Sequence, residues 1–313
     1  MKLLTIREEN RIGAGGGGGG GGDGGAEDGG KKMKGLRKKM GVRGGYVKTG
    51  CMDKCGDVRI PYPFGIGAEC SINQWYIVDC NSSTPYLRAL NVEVLGVTLK
   101  NMTVIVNTPM IIDCQKPFWT SSEIMGVDFE RSPFFFSKSH NKFVFKGCGN
   151  AVMMMDNGSV VTGCSTSCRN VTLSDINNCY GSGCCQTVIP SYLKSYKINI
   201  THYKDDDEGC GSAFLVNKAS YEKRRLSKPF IVRNTSFIPM SFLWTLTDPN
   251  QFTCCSYEFP NRRIMNISDG TTVNTWECDY IGSASLEGSP YLKDGCRRYE
   301  DPDELDIGIE RWL

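Results

Sequence analysis

The chain has 313 residues, 40% of them hydrophobic, with 16 cysteines and a formal net charge of +2. The length allows two modest domains, and the apolar fraction supports packed cores that disulfides would reinforce rather than replace. Residues 1–50 carry 11 Lys+Arg against 5 Asp+Glu, a balance of +6, and residues 51–313 carry 25 against 29, a balance of −4. A mildly acidic body lacks the concentrated basic surface that nucleic-acid binding needs, so nucleic acid is not an expected partner. No run approaches the eighteen or so apolar residues of a membrane-spanning helix. Met1–Ile6 is followed at once by Arg7, Glu8, Glu9 and Arg11, so no signal-peptide core is legible either.

Residues 1–50 are low in complexity. Gly15–Gly22 is an unbroken glycine run, and Lys31–Lys39 adds a basic cluster. Such a stretch buries too little apolar surface to offset its backbone entropy and reads as disordered. No G-K-[ST] follows the glycines, so they are not a phosphate loop.

From residue 51 the composition changes. All sixteen cysteines follow: Cys51, Cys55, Cys70, Cys80, Cys114, Cys148, Cys164, Cys168, Cys179, Cys184, Cys185, Cys210, Cys254, Cys255, Cys278 and Cys296. Seven N-x-[ST] sequons share the window, at Asn81, Asn101, Asn157, Asn170, Asn199, Asn234 and Asn266. Disulfides persist in oxidising compartments, and sequons are used on chains that enter them. The combination predicts an extracellular or cell-surface glycoprotein with up to eight bridges. A zinc protein is the alternative, but no C-x-x-C occurs and only His140 and His202 could assist, so no metal is expected. Cys70–Cys80 could close a local loop. The neighbours Cys184-Cys185 and Cys254-Cys255 should reach separate partners, because a direct bridge strains the peptide between them.

Strand signals dominate the body. Trp75–Val78 is a short apolar run. Asn91–Leu99 and Met102–Val106 read as a hairpin, and Phe134–Phe136 and Lys142–Phe145 form another short apolar pair. Gly158–Thr162, Lys197–Thr201, Ala213–Val216 and Phe230–Val232 are strand-like, and Ala219–Leu226 is the best helical candidate. Many short strands separated by Gly, Pro and Asn predict an all-β fold of antiparallel strands. The expected organisation is a tail over 1–50, a cysteine-rich β module over 51–116, a second β region over 117–239 and a C-terminal part over 240–313.

The densest motif is C-G-D-V-R-I-P-Y-P-F-G-I-G-A-E-C at Cys55–Cys70, then W-Y-I-V-D-C at 75–80, P-Y-L at 85–87 and N-V-E-V-L at 91–95. These words resemble the galacturonan-binding domain of plant wall-associated receptor kinases. The likeness continues through F-V-F-K-G-C-G-N at 143–150, G-S-V-V-T-G-C-S-T-S-C at 158–168 and G-C-C-Q-T-V-I-P at 183–190. It includes C-G-S-A-F-L-V at 210–216, I-P-M-S-F-L-W-T-L at 238–246 and G-S-P-Y-L-K-D-G-C at 288–296. It covers roughly 51–296. The kinase signatures of that family are not present, and Asp301, Asp303 and Glu304 are followed by Leu305 where a calcium-binding EGF module would have Cys. Residues 240–313 therefore read as a degenerate EGF-like remnant without calcium.

The resemblance implies non-catalytic binding of pectin, in particular its de-esterified homogalacturonan, and no cofactor. Arginine grips a carboxylate bidentately, and an aromatic ring can cover the apolar face of a sugar. Arg59, Tyr62, Phe64, Trp75, Tyr76 and Arg88 are the ligand-binding candidates, against the alternative that such rings pack in the core. Lys223, Arg224, Arg225 and Lys228 form a second basic group, and Asp205–Glu208 an acidic run without EF-hand spacing; both read as solvated. No nucleophile elbow supports a hydrolase, and the two histidines read as surface residues. A disulfide-rich protein that recognises an extracellular protein, or a receptor fragment acting as a decoy, is the competing reading.

Overall fold

The computed structural model describes residues 45–110, 131–168, 178–202, 211–227, 237–255, 260–278 and 286–298, with a few positions between them. These residues fall within one compact unit, Val42–Leu313. The expectation of disorder for the tail, the strand at Phe230–Val232, the acidic run, Cys114, Cys210, Asn170 and Asn234 all lie outside the described residues, residues 45–50 apart.

Those six residues belong to the folded body. The Tyr62 N–H donates to the Tyr46 carbonyl at 2.8 Å, and Lys48 Nζ donates to the Glu69 and Ser71 carbonyls at 3.2 and 2.8 Å. The ordered body thus begins before Cys51, because a tyrosine and a lysine among the glycines find partners that composition does not reveal.

A small hairpin, β1 (Lys54–Cys55) and β2 (Val58–Arg59), comes first. β3 (Gly65–Ile66) runs parallel to β4 (Ile77–Asn81). β4, β5 (Thr84–Leu87), β6 (Val92–Thr98) and β7 (Thr103–Pro109) then form an antiparallel meander. The β6–β7 hairpin is the expected one, with Thr98 opposite Thr103. The run at Trp75–Val78 is divided: Gln74–Tyr76 is a 3-10 turn and the strand starts at Ile77.

Two distant strands complete this sheet. β17 (Phe237–Trp244) lies beside β7, and β10 (Phe134–Phe136) lies beside β17, giving the order β10-β17-β7-β6-β5-β4-β3. Pro239, which has no N–H to donate, sits where β17 has β7 as its one neighbour, because β10 reaches only Phe242–Trp244. A second sheet orders β14 (Cys184–Thr187), β11 (Asn141–Lys146), β16 (Gly211–Asn217) and β8 (Ile112–Asp113). A third orders β13 (Val160–Ser165), β12 (Gly149–Met154), β15 (Lys197–His202) and β9 (Ser122–Met125). Phe134–Phe136 and Lys142–Phe145, neighbours in sequence, therefore belong to different sheets. The helix α1 (Lys218–Ser227) follows β16, and Asn217 caps it by accepting the Ser220 N–H at 2.8 Å. Two ribbons, β18 (Asn261–Asn266) with β19 (Thr272–Glu277) and β20 (Leu286–Glu287) with β21 (Arg297–Arg298), end the described chain.

The fold is all-β, as the strand pattern predicts. One apolar cluster runs through it, from Val78, Leu87, Val94 and Val106 to Phe143, Ile198 and Leu215. Its centre is aromatic: Phe64, Tyr76 and Tyr291 surround Trp244 with ring centroids 5.9, 6.2 and 5.5 Å away, all near perpendicular. The separate modules expected to meet at 116/117 and 239/240 share this cluster and one sheet, and the second boundary falls inside β17. Near the end of the described chain, Ser289 closes the body: its Oγ donates to the Tyr62 carbonyl at 2.6 Å and its N–H to the Gly45 carbonyl at 3.0 Å.

Seven disulfides staple the described residues: Cys51–Cys70, Cys55–Cys80, Cys148–Cys168, Cys164–Cys185, Cys179–Cys184, Cys254–Cys278 and Cys255–Cys296. The adjacent cysteines do diverge. A Cys70–Cys80 loop does not form; each joins the β1–β2 segment instead, because that hairpin lies over the core face of β4 and brings Cys51 and Cys55 within reach.

Candidate functional site

Pro61–Phe64 form a tight turn about a cis Tyr62-Pro63 peptide, with the Phe64 N–H donating to the Pro61 carbonyl at 3.0 Å. Tyr62 and Phe64 lie on either side of Pro63 in that turn, and both are buried in the core. Phe64 and Tyr76 are 0% and 1% exposed and meet edge to face at 5.0 Å. The Tyr76 hydroxyl donates to the Thr245 carbonyl at 2.6 Å. Burial pushes the Tyr76 hydroxyl well above the usual tyrosine range, and the Tyr62 hydroxyl up to about 12. Three of the six ligand candidates are thus packing residues with no face for a sugar.

The other three reach the surface at separate places. Lys54 and Arg59 stand directly opposite each other on β1 and β2. The Arg59 guanidinium lies over the Tyr46 ring, 4.3 Å from its centroid, and Asp53 Oδ2 is 3.6 Å from Arg59 Nε. That nitrogen is buried and makes no hydrogen bond among the described residues. The arginine is positioned by the ring and only loosely neutralised. Tyr46 and Lys54 were missed as candidates because Tyr46 lies in a glycine-rich stretch and Lys54 has no motif of its own.

Arg88, by contrast, is paired with a carboxylate through two of its nitrogens. Its Nε donates to Asp79 Oδ2 at 2.9 Å and Oδ1 at 3.1 Å, and its Nη2 also bonds Oδ1. The hydrogen bond from Arg88 holds the Asp79 carboxyl below its ordinary value. Asp79 alternates with Cys80, whose bridge to Cys55 marks the face covered by the β1–β2 hairpin. Arg88 therefore lies on the opposite face of the sheet from Arg59, with Tyr86 and Glu93 in the same row and Asn107 donating to Glu93 at 2.9 Å. Trp75 is half-buried in its 3-10 turn. Its N–H donates to Asn73 Oδ1 at 3.1 Å, and the Asn73 amide donates to Gln251 at 3.0 Å.

Four sequon asparagines are exposed: Asn81, Asn101 and Asn157 beside or within hairpin turns, and Asn266 at the end of β18. Asn199 is half-buried in β15 between β12 and β9. His140 lies 3.0 Å from Ser137 Oγ through Nδ1, but Ser137 is 0% exposed, so the pair braces a turn and presents no nucleophile. His202 is buried rather than at the surface. Among the described residues no group of three His, Cys, Asp or Glu is placed to hold a metal, and no helix is long and apolar enough to cross a membrane. Of the second basic group, Lys223 is an exposed residue of α1.

A family model described as wall-associated receptor kinase galacturonan-binding matches residues 51–108, the segment that carries the Arg59 hairpin and the meander. A second, described as wall-associated kinase, matches residues 176–253. The chain carries an extracellular region of the wall-associated receptor kinase family. Wall-associated receptor kinase-like 6 of Arabidopsis thaliana is 30% identical over 290 residues, covering 79% of this chain and 44% of that protein. Wall-associated receptor kinase-like 1 and -like 4 of the same plant are each 28% identical, covering 79% and 83% of this chain and 38% of each relative. The chain spans about two fifths of the length of these curated relatives. No solved structure matches it.

Proposed function

We propose that this module binds acidic cell-wall polysaccharide, de-esterified homogalacturonan, without catalysing a reaction on it. The observation that carries the reading is Arg59. It lies within the segment matched by the galacturonan-binding model, it is held in place by the Tyr46 ring, and Lys54 stands opposite it on the paired strand. Asp53 is near enough to Nε to attract it and too far to hydrogen-bond it, and with 40% of the Arg59 side chain exposed a uronate carboxylate can approach the guanidinium from solvent. Exposed charge pairs of this kind are screened by salt, and the binding should be too.

The test is binding of soluble polygalacturonate to the wild type and to Arg59→Ala and Arg88→Ala. Loss of one charge-assisted contact weakens binding by about tenfold, ~1.4 kcal/mol. Arg59→Ala is expected to show that loss and Arg88→Ala less than twofold, because Nε and Nη2 of Arg88 already serve Asp79, which neutralises its charge. Equal effects at the two positions would contradict the assignment, and shortening of the polymer on incubation would contradict the absence of catalysis.

An extracellular protein ligand is the second reading, favoured by Tyr180. This ring is 81% exposed on a short loop closed by Cys179–Cys184, and a rigid exposed aromatic suits a protein contact. Tyr180→Ala should leave polysaccharide binding unchanged under the first reading.

A further inference from the structure

The β18–β19 ribbon lies beyond both matched segments, which end at 108 and 253. Its register sets Arg262 opposite Trp276, Ile264 opposite Asn274 and Asn266 opposite Thr272, so these six side chains share one face. The other face is the inner one: Met265 is buried, Thr275 Oγ1 accepts the Leu246 N–H at 3.2 Å, and Arg263 pairs with Glu277 at 3.2 Å. The backbone N–H of Trp276 donates to the Leu246 carbonyl at 2.8 Å, which fixes the ribbon to the end of β17.

On the outer face Arg262 differs from Arg59, Arg88 and Arg263. Each of those has a carboxylate partner: Asp53, Asp79 and Glu277. Arg262 is held instead by a neutral group, with Nε and Nη2 donating to Asn274 Oδ1 at 3.2 and 2.9 Å. Its charge is therefore not cancelled by an acid within its contacts, while its geometry is fixed. The outer nitrogen Nη1 and the Asn274 amide nitrogen make no hydrogen bond among the described residues and remain available as donors. Trp276 is half-buried against the core beside them, so its ring is anchored and partly open.

We propose that this face is a second subsite for a uronate-bearing sugar chain. Trp276 covers the apolar face of a sugar ring, Arg262 takes its carboxylate, and the Asn274 amide takes a hydroxyl. A fixed arginine, a fixed amide and an anchored indole meet the three chemical features of a uronic acid, and little side-chain entropy remains to be lost on binding. Asn266 occupies the turn end of the face, roughly 13 Å along the strand from Arg262 at ~3.3 Å per residue, so the attachment point of a glycan there is set apart from the Arg262 end. The subsite rests on the reading of the chain as a binder of acidic polysaccharide, and it extends that reading beyond the segment matched by the galacturonan-binding model.

Calorimetric titration with a galacturonate trimer tests it, with a neutral galactose trimer as the control. The wild type is expected to bind two galacturonate trimers per chain and no neutral trimer. Arg262→Ala and Trp276→Ala should each remove one of the two or weaken it at least tenfold, while Arg59→Ala removes the other. Arg262→Lys keeps the charge and loses the fork to Asn274; it should weaken the ribbon's binding at least threefold without altering the melting temperature. One trimer per chain in the wild type, lost with Arg59→Ala and unaffected by Arg262→Ala and Trp276→Ala, would overturn the second subsite and leave the first intact. No binding of either trimer by the wild type would overturn both. Trimer binding unaffected by Arg262→Ala alongside capture of a wall protein that Arg262→Ala abolishes would assign the ribbon to a protein partner and overturn the proposal.

Discussion

Asn141 shows how much a single side chain can carry in this body. Fully buried, it accepts the Ser241 N–H at 2.9 Å and donates to the Ser241 carbonyl at 2.7 Å, so it serves β17 as a strand neighbour would. Asn141→Leu keeps a similar volume and strips the Ser241 N–H of its acceptor, while the Ser241 carbonyl keeps the Ser137 N–H at 3.2 Å; one buried group left unpaired costs about 1–3 kcal/mol. Equilibrium denaturation should show a loss of about 1–3 kcal/mol; a loss under about 0.5 kcal/mol would show that the Ser241 N–H finds another partner. Titratable residues give a pH signature at the same scale. Burial lowers Lys146 to about 7 and Lys194 to about 8, from an ordinary value of 10.5. Between those values the unfolded chain binds more protons than the folded one, so stability rises with pH from about 7 to about 9. The buried hydroxyls of Tyr62, Tyr76 and Tyr196 are raised, so above about pH 10 the unfolded chain loses protons that the folded one keeps, and stability falls. Melting temperatures measured from pH 6 to 11 should climb and then drop, and Lys194→Met should flatten the climb. A steady fall from pH 7 to 9 would contradict this account. What the sequence left open at this scale was direction: Tyr62 and Phe64 stand among prolines in a turn, and only the packing around Trp244 shows that their rings enter the core.

Among the elements, the β6–β7 hairpin and α1 were legible because their cues are local: β-branched runs joined by a short turn, and a short run of helical spacing. β17 was not read as a strand, since Pro239 breaks its pattern and its neighbours β7 and β10 come from far earlier in the chain. β18 was missed for the opposite reason. Its residues are mostly exposed on both faces, so N-R-R-I-M-N carries no period, and the region read as a remnant of another module. Its anchorage includes Cys254–Cys278, a loop of 24 residues. Replacing both cysteines by alanine should lower stability by about 3 kcal/mol through the freed unfolded chain, read as a lower melting temperature. If the melting temperature did not move, the ribbon's placement would rest on the Leu246 contacts and not on the bridge.

For the molecule as a whole, composition was the reliable guide to class. Cysteine-rich, strand-rich and poor in helical period, the chain is all-β and stapled, and the wall-associated words at 55–95, 183–190, 210–216 and 238–246 fall where the family models match, while those at 143–150, 158–168 and 288–296 lie outside them. The order of strands was not legible, because the sheet joins residues 77–109 to 134–136 and 237–244 by pairings that leave no mark on local composition. Of the proposed binding surface, Arg59 belongs to a motif visible in the sequence, while Tyr46, Lys54 and the Arg262–Trp276 face become visible only once the register is known. The central claim is recognition of uronate carboxylates, and it is tested most directly by titrating the chain with galacturonan of one length in unesterified and methyl-esterified forms. The account predicts binding of the unesterified polymer that weakens steadily as salt is raised, and at least tenfold weaker binding of the ester. Equal affinity for the two forms, insensitive to salt, would contradict it.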